Sequence, residues 1–260
     1  MNKFYGIMIP LFNRISVGNN FLKLNNKYSK HNKIKVIGEN NKIIFDDNSL
    51  IRDNSIFISG SNNLIEIKSE TSIYGGENQT IYINGDNNHI VIGNNCNIRA
   101  SSFFIYGNEN LIKLEDRIST CLTEFHVEQN GNILEIKNGS TFHGRDYRTI
   151  TFSLDEGSRI VVGEDCMLSN DIQIRSSDSH SIIDKNGKRI NYAKDIIIGN
   201  HCWIGLGSII LKGTVIQSNT IVGAGSICNS QYNDSFCIVA GNPGKIVKRN
   251  VDWDRKFINE

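Results

Sequence analysis

Residues 198 to 227 repeat every six positions, and this period constrains the fold more than any other feature of the chain. Aliphatic residues open five successive repeats, and a small residue follows each of them by four positions: Ile198, Ile204, Ile210, Ile216 and Val222, then Cys202, Ser208, Thr214, Thr220 and Ser226. A period of six fits neither the 3.6-residue turn of a helix nor the alternation of a single strand. It is typical of a β-helix of short strands and tight corners, so the sequence predicts a solenoid with a continuous aliphatic core.

The same register reappears upstream at Val162, Leu168 and Ile174. Val162 and Ile198 are 36 residues apart, which is six periods, so the intervening segment interrupts the solenoid without shifting its phase. Residues 176–195, SSDSHSIIDKNGKRINYAKD, are too polar for a core and too long for an ordinary connection. We therefore expect an inserted loop on a rigid scaffold, where functional sites are common.

A looser repeat precedes residue 150, in which Asn-rich turns alternate with apolar strands. The second Asn of each turn falls at 41, 63, 88, 110 and 132, giving steps of 22, 25, 22 and 22 residues. We interpret each step as one coil and expect Asn and Gly at its corners, because both tolerate the left-handed backbone conformation. The predicted organisation is an N-terminal cap over 1–32, one all-β solenoid domain over 33–247, and a C-terminal tail over 248–260.

Composition excludes several classes of partner. The 260-residue chain has a net charge of +1, which offers no general attraction to nucleic acid or an acidic surface. Its six cysteines show no CxxC spacing, and Cys96, Cys166 and Cys202 fall in the small inward slot of a repeat. We expect free buried thiols in a reducing, cytoplasmic compartment, with neither disulfides nor a metal site.

The N-terminal segment contains a nine-residue apolar run, Phe4 to Phe12. Gly6 and Pro10 interrupt this run and Arg14 follows it, so we do not expect a secretory signal. The run is also too short to span a bilayer. We predict that it caps the first coil, and weak membrane contact is the alternative.

From Val162 onward the chain resembles the hexapeptide-repeat acyltransferases with a left-handed β-helix, particularly the galactoside, maltose and xenobiotic acetyltransferase branch and the O-acetyltransferases of capsule and O-antigen clusters. The resemblance rests on four segments: VGEDCMLSNDIQIRSSDSH (162–180), DIIIGNHCWIG (195–205), IVGAGSI (221–227) and IVAGNPGKIV (238–247). It covers about the last third of the chain. The Asn-rich coils are not typical of the best-known members.

The resemblance implies direct transfer of an acetyl group from acetyl-CoA, with His180 as the residue that matches the catalytic histidine. An imidazole can take the proton of the acceptor while the acceptor oxygen attacks the thioester, so no covalent intermediate is needed. Asp178 lies on the same side of an extended segment and is the candidate for orienting the imidazole, and Asp184 is the alternative. The remaining histidines form no ligand-like cluster, which argues against the zinc carbonic anhydrases that share this prism.

The resemblance also implies binding residues and an assembly. Four small residues allow a close approach of the pantetheine arm, and two lysines match positions that face the nucleotide phosphates: Gly205, Gly207, Ala224, Gly225, Lys245 and Lys248. Trp203 is expected to wall the acceptor site. GNPGK replaces the usual GNPAK, and DYRTITF (146–152) lacks the asparagine that galactoside-type relatives use, so Arg145, Tyr147 and Arg148 become candidates for substrate contact. Relatives of this kind are trimers with active sites between subunits.

Together these features predict an acetyl-CoA-dependent O-acetyltransferase acting on a sugar, with a bacterial surface polysaccharide or its precursor as the expected acceptor. An N-acetyltransferase on an amino sugar, or a serine-type acetyltransferase, is the nearest alternative. A non-catalytic solenoid scaffold is the alternative of a different class, and the intact SDSH, WIG and GNPGK segments disfavour it.

Overall fold

The computed structural model describes residues 14–24, 30–75, 80–145, 149–256 and 258. The apolar run at the N-terminus lies outside these residues, as do Tyr147 and Arg148. The first fifteen strands are β1 (Arg14–Ser16), β2 (Phe21–Leu24), β3 (Lys33–Ile37), β4 (Lys42–Phe45), β5 (Leu50–Arg52), β6 (Ser55–Ser59), β7 (Leu64–Ile67), β8 (Ser72–Tyr74), β9 (Thr80–Asn84), β10 (His89–Ile92), β11 (Asn97–Arg99), β12 (Ser102–Tyr106), β13 (Leu111–Leu114), β14 (Ser119–Cys121) and β15 (Thr123–Glu128). The other fifteen are β16 (Ile133–Ile136), β17 (Thr141–His143), β18 (Ile150–Leu154), β19 (Arg159–Val162), β20 (Met167–Leu168), β21 (Gln173–Arg175), β22 (Ile196–Ile198), β23 (Trp203–Ile204), β24 (Ile209–Leu211), β25 (Val215–Ile216), β26 (Thr220–Val222), β27 (Ile227–Cys228), β28 (Gln231–Tyr232), β29 (Cys237–Ala240) and β30 (Lys245–Arg249).

The strands form three sheets of ten strands each, which are the faces of a prism, and every pairing except that of β29 with β30 is parallel. Sheet 1 runs from β1 through β3, β6 and every third strand to β27, sheet 2 runs from β2 through β4 and β7 to β28, and sheet 3 runs from β5 through β8 to β29 and β30. From β3 onward, the chain passes from sheet 1 to sheet 2 to sheet 3 and back in each coil. The predicted single-domain parallel β-helix is confirmed, and the described residues contain no helix, hence none that is long and apolar enough to cross a membrane.

The hexapeptide register places its residues in the core as predicted. All five aliphatic positions and all five small positions between Ile198 and Ser226 are at most 1% exposed. Ser208 Oγ donates to the Gly223 carbonyl at 3.1 Å, and Cys202 Sγ contacts the Gln217 carbonyl at 3.3 Å. The small slot therefore packs against a corner and gives the neighbouring backbone a polar partner.

The coils before residue 160 have wider cores than those after it. Five phenylalanines are fully buried in the first part, Phe45, Phe103, Phe125, Phe142 and Phe152. Phe103 and Phe125 stack with their ring centroids 4.6 Å apart. The buried hydrophobic residues of the hexapeptide coils are Ile, Val, Leu and Cys, with Tyr232 and Trp253 near the end of the chain.

The Asn-rich corners contain a continuous ladder of side-chain amides between sheets 1 and 2. Each Nδ2 donates to the Oδ1 of the equivalent residue one coil earlier, over 2.9–3.0 Å, through Asn20, Asn41, Asn63, Asn88, Asn110 and Asn132. The last five are at most 1% exposed. We call these six residues the asparagine ladder.

This ladder refines the expectation for the corners. The left-handed conformation belongs to the residue just before the ladder asparagine, with φ of 58°, 59°, 57° and 59° at Asn40, Asn62, Asn87 and Glu109. The second Asn of each turn instead points inward and bonds to its equivalents. It recurs because a buried amide can donate and accept at once.

The ends of the solenoid differ from the predicted boundaries. β1 and β2 pair in parallel with β3 and β4, so the described coils extend back to Arg14, inside the segment expected to be a cap. At the other end β30 is antiparallel to β29 and extends sheet 3 as its last strand. The inserted loop lies where it was expected, since β21 ends at Arg175 and β22 begins at Ile196.

Candidate active site

The inserted loop leaves the prism at the corner between sheets 1 and 2, and His180 lies near its start. The side chain of His180 is exposed, while its backbone N–H donates to the Asp178 carbonyl at 2.7 Å. Ser179, just before it, has a φ of 63°. This sharp backbone turn points the histidine out of the solenoid wall, where an imidazole can reach a bound substrate.

Asn191 fastens the two halves of the loop together. Its Nδ2 donates to Asp178 Oδ2 at 2.7 Å and to the His180 carbonyl at 2.8 Å, while its Oδ1 accepts from the Ile182 N–H at 2.7 Å. Asn191 is only 7% exposed. Its importance carries no signal in the sequence, because its partners lie up to 13 residues away in a segment without periodicity.

The carboxylate of Asp178 is bound by Lys212 and Asn191. Lys212 follows β24, one coil further on at the same corner. The hydrogen bond from Lys212 holds the pKa of Asp178 below its ordinary value. Asp178 is connected to His180 through the backbone, whereas Asp184 accepts from the N–H groups of Asn186 and Lys188 and closes a turn at the tip of the loop.

A second attachment joins the loop to the preceding coil through Glu156. Arg189 forms an ion pair with Glu156, and the Ala193 N–H donates to Glu156 Oε2 at 2.9 Å. That backbone hydrogen bond is the largest cause of a lowered pKa at Glu156. The loop is thus held at its start, its middle and its end.

A groove of about 240 Å³ lies on the outer face of sheet 1 beside the loop. Its lining comes from β15, β18, β21 and the start of the loop: Glu124, His126, Glu128, Thr151, Ser153, Leu154, Asp155, Arg175, Ser177 and Ser179. We call it the sheet 1 groove. It reaches Ser179, the residue next to His180. Burial raises the pKa of Asp155 in its wall.

The residues expected to bind acetyl-CoA lie at a different corner of the prism. Trp203 is in sheet 3, and its Nε1 donates to Ser169 Oγ at 3.4 Å. Gly205, Gly207, Ala224 and Gly225 occupy the connections from sheet 3 to sheet 1. One chain therefore does not bring them together with His180, which lies at the corner between sheets 1 and 2.

The glycines at that corner have different structural reasons. A Cβ on Gly205 would lie 2.6 Å from the Ala224 backbone nitrogen, so close packing excludes any side chain there. Gly207 and Gly225 have φ of 69° and 68°, and a Cβ on either would meet no atom within 4 Å. The surface over Gly207 and Gly225 is open, as an extended ligand arm along the corner requires.

The C-terminal tail forms a strap, residues 251–256, across sheet 3 beside Trp203. Trp253 stacks on His201 with centroids 4.4 Å apart and lies 6.2 Å from the Trp203 ring. His201 Nδ1 is 2.6 Å from Asp165 Oδ2, and its Nε2 is 3.1 Å from the Trp253 carbonyl. Arg255 bonds to the other Asp165 oxygen at 2.7 Å. His201 is thus part of a tail attachment.

The three basic residues of β30 are not equivalent. Arg249 Nε donates to Asp234 Oδ2 at 2.7 Å, whereas Lys245 and Lys248 are exposed and form no ion pair within the described part of the chain. Arg145 is also exposed and follows β17, at the corner between sheets 3 and 1. Lys245 and Lys248 are therefore available to phosphate groups.

Comparisons with known proteins give relatives in one family, although no family model matches the chain. A polysialic acid O-acetyltransferase from Escherichia coli O1:K1 is 41% identical over 97 residues, covering 37% of this chain and 31% of that protein. Another from Neisseria meningitidis is 37% identical over 106 residues, covering 40% of this chain and 49% of that protein. The chain spans less than half the length of these two curated relatives.

Solved structures extend the likeness over most of the chain. The polysialic acid O-acetyltransferase OatWY is 33% identical, covers 78% of this chain and 93% of its own, and gives a TM-score of 0.73. The polySia-specific acetyltransferase NeuO is 29% identical, covers 71% and 86%, and gives a TM-score of 0.56. At 33% identity to OatWY over 93% of that chain, this chain belongs to the hexapeptide-repeat O-acetyltransferases with a left-handed β-helix.

Proposed function

We propose that this chain is an acetyl-CoA-dependent O-acetyltransferase whose acceptor is a hydroxyl of a bacterial capsular or O-antigen polysaccharide, or of its precursor. The observation that carries the proposal is the exposed His180 on a firmly attached loop beside the sheet 1 groove. Relatives named as polysialic acid O-acetyltransferases support the reaction class and a polysaccharide acceptor. The cytoplasm, where acetyl-CoA is available, is the proposed compartment.

In this proposal His180 is the general base. Its imidazole accepts the proton of the acceptor hydroxyl while the oxygen attacks the thioester carbonyl, and it returns the proton to the departing sulfur of CoA. Asn191 binds the His180 carbonyl and fixes the backbone that carries the imidazole. Asp178, held by Lys212, contributes to that positioning through the loop.

Acetyl-CoA is proposed to lie along the corner between sheets 3 and 1. Gly207 and Gly225 leave the backbone open there, and Trp203 walls the same side of sheet 3. Lys245 and Lys248 are exposed near the end of the solenoid and suit the nucleotide phosphates.

Because His180 and this corner are apart in one chain, we propose a homotrimer in which the loop of one subunit meets the glycine corner of the next. Light scattering should give about three times the chain mass of 29.2 kDa. A fully active monomer would exclude the shared site.

Replacement of His180 tests the proposed chemistry. His180→Ala should lower kcat by at least about 10²-fold, because the acceptor proton loses its base, while acetyl-CoA binding stays intact. His89→Ala is the matched control, since His89 is an exposed histidine on sheet 2 of an Asn-rich coil. Near-normal turnover in His180→Ala would remove this histidine from the mechanism.

A further inference from the structure

The charge of the sheet 1 groove determines which ligands are electrostatically compatible with it. Among the residues that the structure describes, three carboxylates line it, from Glu124, Glu128 and Asp155, against the guanidinium of Arg175. His126 is the remaining titratable group, and its Nε2 is 3.0 Å from Glu128 Oε1. The groove therefore has an excess of negative charge.

The charged groups in the groove differ in how available they are to a ligand. Glu124 is half-buried and has no hydrogen-bond or ion-pair partner among the residues described by the structure. Arg175 donates through Nη2 to Ser179 Oγ at 3.3 Å, which directs it toward the loop. An unpaired carboxylate in a confined groove repels an anionic ligand, and it accepts hydrogen bonds from hydroxyl, amide or ammonium groups.

The same face of sheet 1 continues from the groove without charge. The outward residues of β6, β9 and β12 are all uncharged: Ser55, Phe57, Ser59, Thr80, Tyr82, Asn84, Ser102, Phe104 and Tyr106. The Phe57 and Tyr82 rings stack on each other at 5.3 Å, so this strip presents ring edges, hydroxyls and an amide. Basic residues occur on this face beyond the strip, at Lys33 and Lys35 of β3 and at Arg14 of β1, and Lys35 Nζ lies 5.7 Å from the centroid of the Phe57 ring.

We infer that the sheet 1 groove is the acceptor subsite and that it receives a sugar residue without a carboxylate, with the neighbouring uncharged strip contacting further residues of the same glycan. This inference rests on the proposed acetyl transfer at His180. The inferred acceptor differs from the one named for OatWY, because polysialic acid carries one carboxylate on every sugar. The carboxylates of the groove accept hydrogen bonds from the hydroxyls of the acceptor and hold it beside the loop.

A chemically matched pair of acceptors tests this directly. Oligosialic acid and its carboxyl-amidated derivative have the same linkage and length and differ only in charge. With the wild-type protein, kcat/KM for the amidated form should exceed that for the native form by about tenfold or more, and the ratio should fall as salt screens the repulsion. Binding of both forms to His180→Ala, followed by ligand-observed NMR, should show the same order without turnover.

Three variants identify the source of the preference. Glu124→Gln combined with Glu128→Gln should narrow the ratio, because two like charges are removed at nearly constant shape. Glu66→Gln, a matched change on sheet 2, should leave it unchanged. If Arg175 does not bind the carboxylate, Arg175→Ala should change kcat/KM by the same factor for both acceptors.

The outcomes separate this inference from the proposed function. Preference for native oligosialic acid, a ratio unaffected by the double variant, or binding of neither form would overturn the inference. Preferred acetylation of native oligosialic acid would leave the proposed O-acetyltransferase standing. Binding of acetyl-CoA and of the amidated glycan, without acetyl transfer to it or to a panel of neutral glycans, would instead defeat the proposed function.

Discussion

The Asn-rich coils and the hexapeptide coils solve the same packing problem with different cross-sections. The starts of β9, β10, β11 and β12 are separated by 9, 8 and 5 residues, so a coil has 22 residues and three unequal sides. From Ile209 to Val215, Ile221 and Ile227 the chain advances six residues each time, which gives an 18-residue coil with equal sides. A solenoid can therefore widen without losing its sheets.

Core and corners change together with the circumference. The wide coils contain buried phenylalanines and the asparagine ladder, whereas the narrow coils contain branched aliphatic residues with Cys, Ser or Thr in the small slot. The ring of Phe125 packs against Phe103, Phe142 and Phe152, so the wider interior is filled by aromatic side chains. Coil length is therefore limited by the side chains that can fill the interior and form hydrogen bonds at the corners.

The largest expected difference between the two regions concerns their inward polar groups. Asn88→Ala would leave the Asn110 N–H and the Gly107 carbonyl without partners in a buried corner, and the Asn110 amide would keep only its bond to the Gln129 carbonyl. We expect a loss of about 3 to 5 kcal/mol in the free energy of unfolding. Ser208→Ala removes one hydrogen bond to the Gly223 carbonyl and should cost about 1 kcal/mol.

Chemical denaturation of the two variants measures this difference. Normal kcat in folded Asn88→Ala would show that the ladder supports the scaffold and not the site. Equal losses for Asn88→Ala and Ser208→Ala would contradict a special role for the ladder.

A second difference concerns the width of the core. Ile210 is fully buried between Ile174 and Cys228 of the neighbouring coils. Ile210→Phe should destabilise the protein by about 1 to 3 kcal/mol, because the narrow coil has no room for a ring. Ile210→Val, the control, should cost about 0.5 to 1.5 kcal/mol. Thermal unfolding compares the two, and a fully stable Ile210→Phe would show that the narrow coil is less restricted than its residues suggest.

Variants at the end of the narrow coils should change the binding of acetyl-CoA. Lys245→Ala combined with Lys248→Ala should raise the KM for acetyl-CoA by up to about tenfold, because exposed charge-assisted bonds to phosphate are lost. The acceptor KM and the kcat at saturating acetyl-CoA should hold steady. Arg249→Ala is the control, since Asp234 already binds that guanidinium. Loss of kcat in the double variant would place this strand nearer the chemistry.

The smallest expected effect is the pH dependence of the strap. Burial alone would lower the pKa of His201, but its hydrogen bond with Asp165 and the other nearby acceptors outweigh burial and raise it. A raised folded-state pKa means that this contribution is fully present below the ordinary value of 6.5 and is lost as the pH rises through the folded pKa.

Tryptophan emission measures that loss, since the chain has two tryptophans. In Trp203→Phe, the emission of Trp253 should shift to the red as the pH rises and the strap loosens. His201→Phe, which keeps an aromatic ring beside Trp253, should abolish the shift. A shift of the same size in both proteins would assign it to another group.

The solenoid is predictable from the sequence because each inward slot is a property of single residues at a constant spacing. Ile204 and Ser208 need no partner to be recognised. The asparagine ladder was visible as a repeat of 22 and 25 residues, but its inward direction depends on a hydrogen bond between coils. β1 lies outside the solenoid that the sequence predicts, because it has three residues and no hexapeptide pattern.

The site was predictable in part for the same reason. His180 and the exposed lysines stand in motifs that can be read along the chain, whereas Asn191 and Lys212 act through contacts across the loop and the next coil. His180 and Trp203 are separated because His180 lies at the corner between sheets 1 and 2, whereas Trp203 lies in sheet 3. Only the topology shows it, and the assignments of roles at Arg145, Tyr147 and Arg148 stay predictions.

The asparagine ladder gives the wide coils interchangeable ends. Each of Asn41, Asn63, Asn88 and Asn110 offers an Oδ1 acceptor to the following coil and takes up the equivalent acceptor of the coil before it. A whole coil can thus be gained or lost by recombination, because the coils on either side of the junction still meet through a pair of ladder asparagines. The number of wide coils can therefore change by one coil at a time during evolution. The loop with His180 follows the last ladder residue and is left unchanged.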